Sequence, residues 1–84
     1  MYEIETYEDA RDQLAELPRE ALLAYAEVLA VLEIAPWSGA PYNRAKPSSP
    51  MRRFSFGRDD LGMVVYLVLE HDRRVDVVGV YWLG

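Results

Sequence analysis

The chain has 84 residues, no cysteine and one histidine, His71. That length allows one domain with one core, burying roughly 60–65% of the unfolded surface, and the composition excludes disulfides and argues against a structural zinc site. A net charge of −5, taken whole, argues against a nucleic-acid binder.

Taken in chain order, Tyr2–Thr6 alternates Tyr2/Ile4/Thr6 against Glu3/Glu5 and predicts a short strand. Thr6 with an acid three residues on, Asp9, reads as a helix N-cap. The helix that follows puts Ala10, Leu14 and Leu17 on one side. Pro18 stops or bends it, or opens the next helix. Arg19–Ala35 is the clearest helix, dominated by alanine, leucine and glutamate, with a stripe of Leu22, Tyr25, Leu29 and Leu32. Pro36 ends it, because the residue before a proline avoids the α region.

Residues 36–50 hold four prolines and the pair Ser38-Gly39, and read as a loop. Three strands follow, Met51–Gly57, Met63–Glu70 and Val75–Leu83, separated by the turns Arg58–Gly62 and His71–Arg73. The last two are nearly continuous in apolar residues and are expected to be central in the sheet. On the last strand, Val78, Val80 and Trp82 are expected opposite Val77, Gly79 and Tyr81, with Trp82 in the core. The whole is one α+β domain, residues 1–84, with a β-α-α-β-β-β order. The most apolar stretch, Ala21–Ala35, is broken by Glu27 and Glu33 and is too short for a membrane span. The N-terminus is acidic and alternating, unlike a signal peptide, so a cytoplasmic protein is expected.

Several segments in this order resemble the RelE/ParE toxins of type II toxin–antitoxin systems. They are Glu16-Leu17-Pro18-Arg19-Glu20, Ala35-Pro36-Trp37-Ser38-Gly39, Met51-Arg52-Arg53-Phe54-Ser55-Phe56-Gly57, Gly62-Met63-Val64-Val65-Tyr66 and Val75–Trp82. The resemblance implies a bacterial toxin held by a cognate antitoxin that wraps its surface. RelE-like members cut messenger RNA in the ribosomal A site, and ParE-like members inhibit DNA gyrase. The RNA-cutting members use no metal or other cofactor: they steer a ribose 2′-OH onto the adjacent phosphate while basic side chains stabilise the developing charge. Two departures stand out. Met63 occupies the position of a family arginine, and Leu83 lies near a second basic position. The family often has a C-terminal helix or tail bearing a catalytic tyrosine or histidine, and the sequence ends at Gly84 without one.

The charge distribution points to the second part of the chain. Residues 1–35 hold nine acids and two arginines (−7), and residues 36–84 hold seven basic residues and five acids (+2). Arg52 and Arg53 are adjacent on one strand and so point to opposite faces, one to a groove and one to solvent or a protected edge. Arg53, which shares its face with Ser55, is the candidate catalytic cation. Arg58 joins it, with Arg44 and Lys46 as RNA-binding residues, or all three serve ordinary loop solvation. Tyr81 is a proton donor, a stacking platform or a packing residue. Trp37 and Tyr42 stack bases or cap the core, and Arg73 and Arg74 pair with nearby Asp72 and Asp76. His71 lies in an exposed turn. The apolar breadth of Ala21–Ala35 exceeds what one small sheet covers, which marks a surface for an antitoxin or a second copy of the chain.

Overall fold

A computed structural model describes residues 1–84. Strand β1 (Glu3–Thr6) leads into helices α1 (Glu8–Ala15) and α2 (Arg19–Ile34), followed by strands β2 (Ala40–Pro41), β3 (Met51–Phe56), β4 (Gly62–Leu69) and β5 (Arg74–Trp82). The five strands form one sheet in the order β1-β5-β4-β3-β2. β1 runs parallel to β5, and the other pairs are antiparallel. β4 and β5 are interior strands, in line with their apolar composition.

Thr6 is not the N-cap of α1. It pairs with Val77 as the last residue of β1, and the Tyr7 N–H donates to the Val77 carbonyl, so the chain leaves the sheet only at Tyr7. Tyr7 has no short side-chain acceptor to offer the helix, and α1 starts without a side-chain cap. Pro18, with φ −68° and ψ 162°, is the extended residue that caps α2. Its carbonyl accepts from the N–H groups of Ala21 and Leu22.

Both helices pack on one face of the sheet. The core joins Ala10 of α1, Ala21, Tyr25, Val28 and Leu32 of α2, and Phe56, Val64, Tyr66, Val68, Val75, Val77 and Val80 of the strands. Burying a Val, Leu or Phe side chain contributes roughly 1.5–3 kcal/mol, so Val28, Leu32, Phe56, Val64, Val68, Val75, Val77 and Val80 together supply the main driving force for a domain of this size. Trp82 is half-buried against this core and stacks on Phe56, with ring centroids 6.2 Å apart.

Two further features differ from the expected pattern. A two-residue strand, β2, lies inside the proline-rich segment expected to be only loop. Strict alternation also fails on β5. Val65 pairs with Gly79 whereas Tyr66 pairs with Val77, so Val78 is an extra residue with no partner on β4. This bulge puts Val77 and Val80 both on the helix side, correcting the placement of Val77 beside Gly79 and Tyr81. Beyond Val77 the strand has no β1 partner, and the Val80 N–H donates instead to Oε1 of Gln13 on α1, at 2.7 Å.

Candidate functional site

The other face of the sheet carries no helix. Its cross-strand rows follow from the register. Arg53 on β3 is flanked by Ala40 on β2 and Val65 on β4, and Val65 by Gly79 on β5. In the next row Ser55 pairs with Met63, and Met63 with Tyr81. Arg53 and Tyr81 are therefore brought to one open face, with Met63 and Val65 between them. Neighbouring strands lie about 4.8 Å apart, so Arg53 and Gly79 are separated by about 10 Å of sheet.

Adjacent arginines on β3 have opposite fates. Arg52 is buried on the helix side. One guanidinium nitrogen donates to the carbonyls of Pro47 and Ser49, and the other to those of Gly39 and Trp37. Its guanidinium also lies 5.3 Å from the centre of the Trp37 ring. Arg52 is thus a clamp that folds residues 36–39 and 47–49 against the sheet end. Arg53 is half-buried on the open face and takes no acidic partner: the three ion pairs of the chain are Arg58–Glu20, Arg73–Glu70 and Arg74–Asp76. A recess of about 270 Å³ beside Arg53 is lined by Ser38, Gly39, Ala40, Phe54 and Ser55.

The remaining sequence candidates are dispersed. Arg58 sits in the 3-10 turn after β3, 3.6 Å from Glu20 at the start of α2. Arg44 and Lys46 are exposed in the segment that leads into the opposite end of β3. Tyr42 is exposed beside them, and His71 is exposed in the β4–β5 turn. The Trp37 indole N–H donates to Glu70 at 2.7 Å. Arg74 pairs with the buried Asp76 at 2.8 Å, and Arg73 pairs with Glu70 rather than Asp72.

Tyr81 has a posture that its sequence position alone does not specify. A Cβ added to Gly79 would lie 2.7 Å from the Tyr81 hydroxyl oxygen and 2.8–2.9 Å from Cε2 and Cζ. The outer end of the ring therefore lies on the backbone of Gly79, leaning back along β5 into the row of Arg53 and Val65. Gly79 and Val65 are buried, whereas Tyr81 is 45% exposed. The signal available in the sequence was a glycine two residues before a tyrosine on one strand, since i and i+2 share a face.

A second surface lies at the outer edge of β3. β2 pairs only with Arg52 and Arg53, so the edge from Phe54 to Phe56 has no strand partner. Between this edge and α2 runs a groove of about 330 Å³, lined by Ala24, Val28, Val31, Phe54 and Phe56, with Glu27 and Asp60 at its rim. Leu23, Val31 and Ile34 are exposed on α2. No group of three or more His, Asp or Glu side chains could hold a metal ion, and no helix is long and apolar enough to cross a membrane.

This architecture is that of the RelE toxins. The chain superposes on RelE in the intact *E. coli* RelBE toxin–antitoxin complex with a TM-score of 0.77 at 16% identity, covering 100% of this chain and 99% of that one. An *E. coli* RelE variant in complex with an antitoxin RelB peptide gives a TM-score of 0.80 at 19% identity, covering 99% and 84%. The archaeal RelE–RelB complex from *Pyrococcus horikoshii* gives 0.66 at 16%, covering 99% and 96%. No protein-family model matches the sequence, and no curated protein is similar to it in sequence.

Proposed function

We propose that this chain is the toxin of a type II toxin–antitoxin pair and that it cleaves messenger RNA on the ribosome in the cytoplasm. The observation that carries the reading is Arg53: a cation without an acidic partner on the helix-free face of a RelE fold, one row from Tyr81. A guanidinium there stabilises negative charge that develops on a phosphate as a ribose 2′-OH attacks it. Arg44 and Lys46 hold RNA at one end of β3, and Arg58 does so once released from its exposed pair with Glu20. Such a pair is weak, so a phosphate displaces it at little cost.

The cognate antitoxin covers the apolar groove between α2 and the free edge of β3. An extended segment adds to an unpaired strand edge through main-chain hydrogen bonds, and the exposed Leu23, Val31 and Ile34 supply the apolar contact. The *E. coli* and *P. horikoshii* RelE structures are complexes with RelB, which supports this partner.

Met63 and Leu83 favour a second reading, in which the same fold acts by protein contact alone, on DNA gyrase or only on its antitoxin. Inducible expression in a bacterial host separates the two. Growth arrest with new transcript ends inside translated codons, lost in Arg53→Ala, supports cleavage. Arrest without such ends but with blocked supercoiling by gyrase supports the contact reading, and absence of arrest from folded protein sinks both toxic readings.

A further inference from the structure

The groove between α2 and the outer edge of β3 is apolar inside and acidic at its mouth. Phe54 and Phe56 form one wall, and Ala24, Val28 and Val31 of α2 form the other. Glu27 and Asp60 stand at the rim, and no Lys or Arg lines the groove. Both acids are exposed, and neither belongs to any of the three ion pairs of the chain. Arg58, close to Asp60 in the chain, is paired with Glu20 instead. The strand edge adds direction. The Tyr42 N–H donates to the Met51 carbonyl and Ala40 pairs with Arg53, so alternate residues of β3 turn their main-chain groups toward β2. Ser55 is the next residue in that series, and β2 does not reach it. Its N–H and C=O therefore point out of the sheet edge, beside the groove that Ser55 also lines.

We propose that the partner seated in this groove is basic: an extended segment whose apolar residues enter between α2 and the two phenylalanines, and whose flanking lysines or arginines reach Glu27 and Asp60. This rests on the antitoxin reading above and assigns the charge of the antitoxin's contact segment, which the fold alone leaves open. Carboxylates on low-dielectric walls focus their field into a cleft, so a cation seated there gains more than on an open surface. The same field repels a polyanion, which keeps RNA off the groove and leaves it to the face of Arg53. A basic segment also offsets part of the charge of −7 carried by residues 1–35.

The test uses two synthetic peptides, a short valine–threonine run flanked by lysines and the same run flanked by glutamates. Each is titrated into the full chain and followed by amide NMR shifts. The lysine peptide is expected to bind about tenfold or more tightly than the glutamate peptide, with shifts confined to α2 and to the end of β3 with its following turn. Added salt is expected to shrink that preference in the unaltered chain. Combining Glu27→Lys with Asp60→Asn is expected to abolish it. Asp60 has φ 55°, a left-handed conformation that asparagine also tolerates, and Glu27 is an exposed helical residue, so this variant keeps the fold. Equal affinity for the two peptides, or binding of neither at the groove, would overturn the proposal. A lysine preference that survives in the variant would overturn it too, as diffuse attraction to the acidic helices. Growth arrest on expression is scored separately. Arrest combined with any of those failures removes the charge assignment and leaves the toxin reading standing. The expected preference without arrest keeps the basic partner and sinks the toxin reading.

Discussion

The Tyr2 hydroxyl donates a 2.6 Å hydrogen bond to Oε1 of Glu70, and the Trp37 indole donates to the same oxygen at 2.7 Å. Arg73 approaches Oε2 at 2.9 Å and lies 4.2 Å from the centre of the Tyr2 ring. One carboxylate thereby joins the N-terminus, the segment after α2 and the β4–β5 turn. The Tyr2 hydrogen bond first, then that of Trp37, holds the Glu70 carboxyl below its ordinary value of 4.5. A carboxylate with a depressed folded pKa contributes stability above its unfolded pKa, and that contribution is lost as pH falls through the folded value. Glu70→Gln is therefore expected to lower Tm near neutral pH and to flatten the fall of Tm in acid. Tm measured against pH for both chains checks this, and two parallel profiles would remove Glu70 from the account.

Arg52 illustrates a different economy. Its guanidinium serves four carbonyl oxygens, those of Pro47, Ser49, Trp37 and Gly39, and no carboxylate. Removing it leaves the buried Gly39 carbonyl and three part-buried carbonyls without this donor and loosens two loop segments at once. Arg52→Ala is expected to cost about 2–4 kcal/mol, the range for breaking a buried hydrogen-bond network. Arg53→Ala, on the open face, is expected to stay within about 0.5 kcal/mol of the unaltered chain. Urea unfolding of the two variants gives the comparison. A similar cost for both would mean that Arg53 is structural, and would weaken its assignment to phosphate.

Two buried tyrosines make opposite predictions at one atom. The Tyr66 hydroxyl donates to the Pro36 carbonyl at 2.8 Å, whereas the Tyr25 hydroxyl is buried without a partner. Tyr66→Phe is expected to destabilise by about 1–2 kcal/mol, because it orphans a buried carbonyl, and Tyr25→Phe to be neutral or stabilising by up to about 1 kcal/mol. Burial pushes both phenols up from 10.0 to about 12. A raised folded pKa contributes stability that is present below the unfolded value and lost as pH rises through the folded one. Stability is therefore expected to fall between pH 10.0 and about 12, with tyrosinate absorbance rising cooperatively with unfolding. Independent titration of all the tyrosines near their ordinary value, in folded protein, would contradict the buried geometry.

Much of this architecture was legible in the sequence because its signals are local. Ala-Leu-Glu composition and the proline after Ala35 delimit α2 to within a residue. Period-2 alternation places Arg53 opposite Phe54 on β3, and the apolar density of β4 and β5 puts them inside the sheet. What escaped depends on contacts distant in the chain. Ala40–Pro41 carries no strand signal and pairs because the Arg52 clamp brings its segment to β3. The run Asp76-Val77-Val78-Gly79-Val80 has valines on both sides of the bulge, so composition cannot reveal which one is extra. Arg58 looks as free as Arg53 in sequence, and only the packing of α2 brings Glu20 within 3.6 Å of it.

Met63 offers a gain-of-function test of the site. It lies between Ser55 and Tyr81 on the open face and is half-buried. The family resemblance places an arginine there. Met63→Arg is a change between two long unbranched side chains, and the guanidinium reaches solvent on this face while its methylenes keep the packing of the methionine. The new cation would stand between Arg53 and Tyr81 and add charge-assisted hydrogen bonds to a bound phosphate. On the proposed ribonuclease reading, transcript cleavage per folded molecule is expected to rise about tenfold or more, since one well-placed charged donor contributes roughly 1.5–3 kcal/mol. Tm is expected to drop by about 4–8 °C at most, which corresponds to a change of about 1 kcal/mol in a domain of this size. Primer-extension mapping of transcripts with equal amounts of the two chains is the measurement. If the arginine leaves cleavage unchanged while Arg53→Ala abolishes it, the phosphate sits nearer β2 than this face of β4, and the catalytic row is that of Arg53 alone.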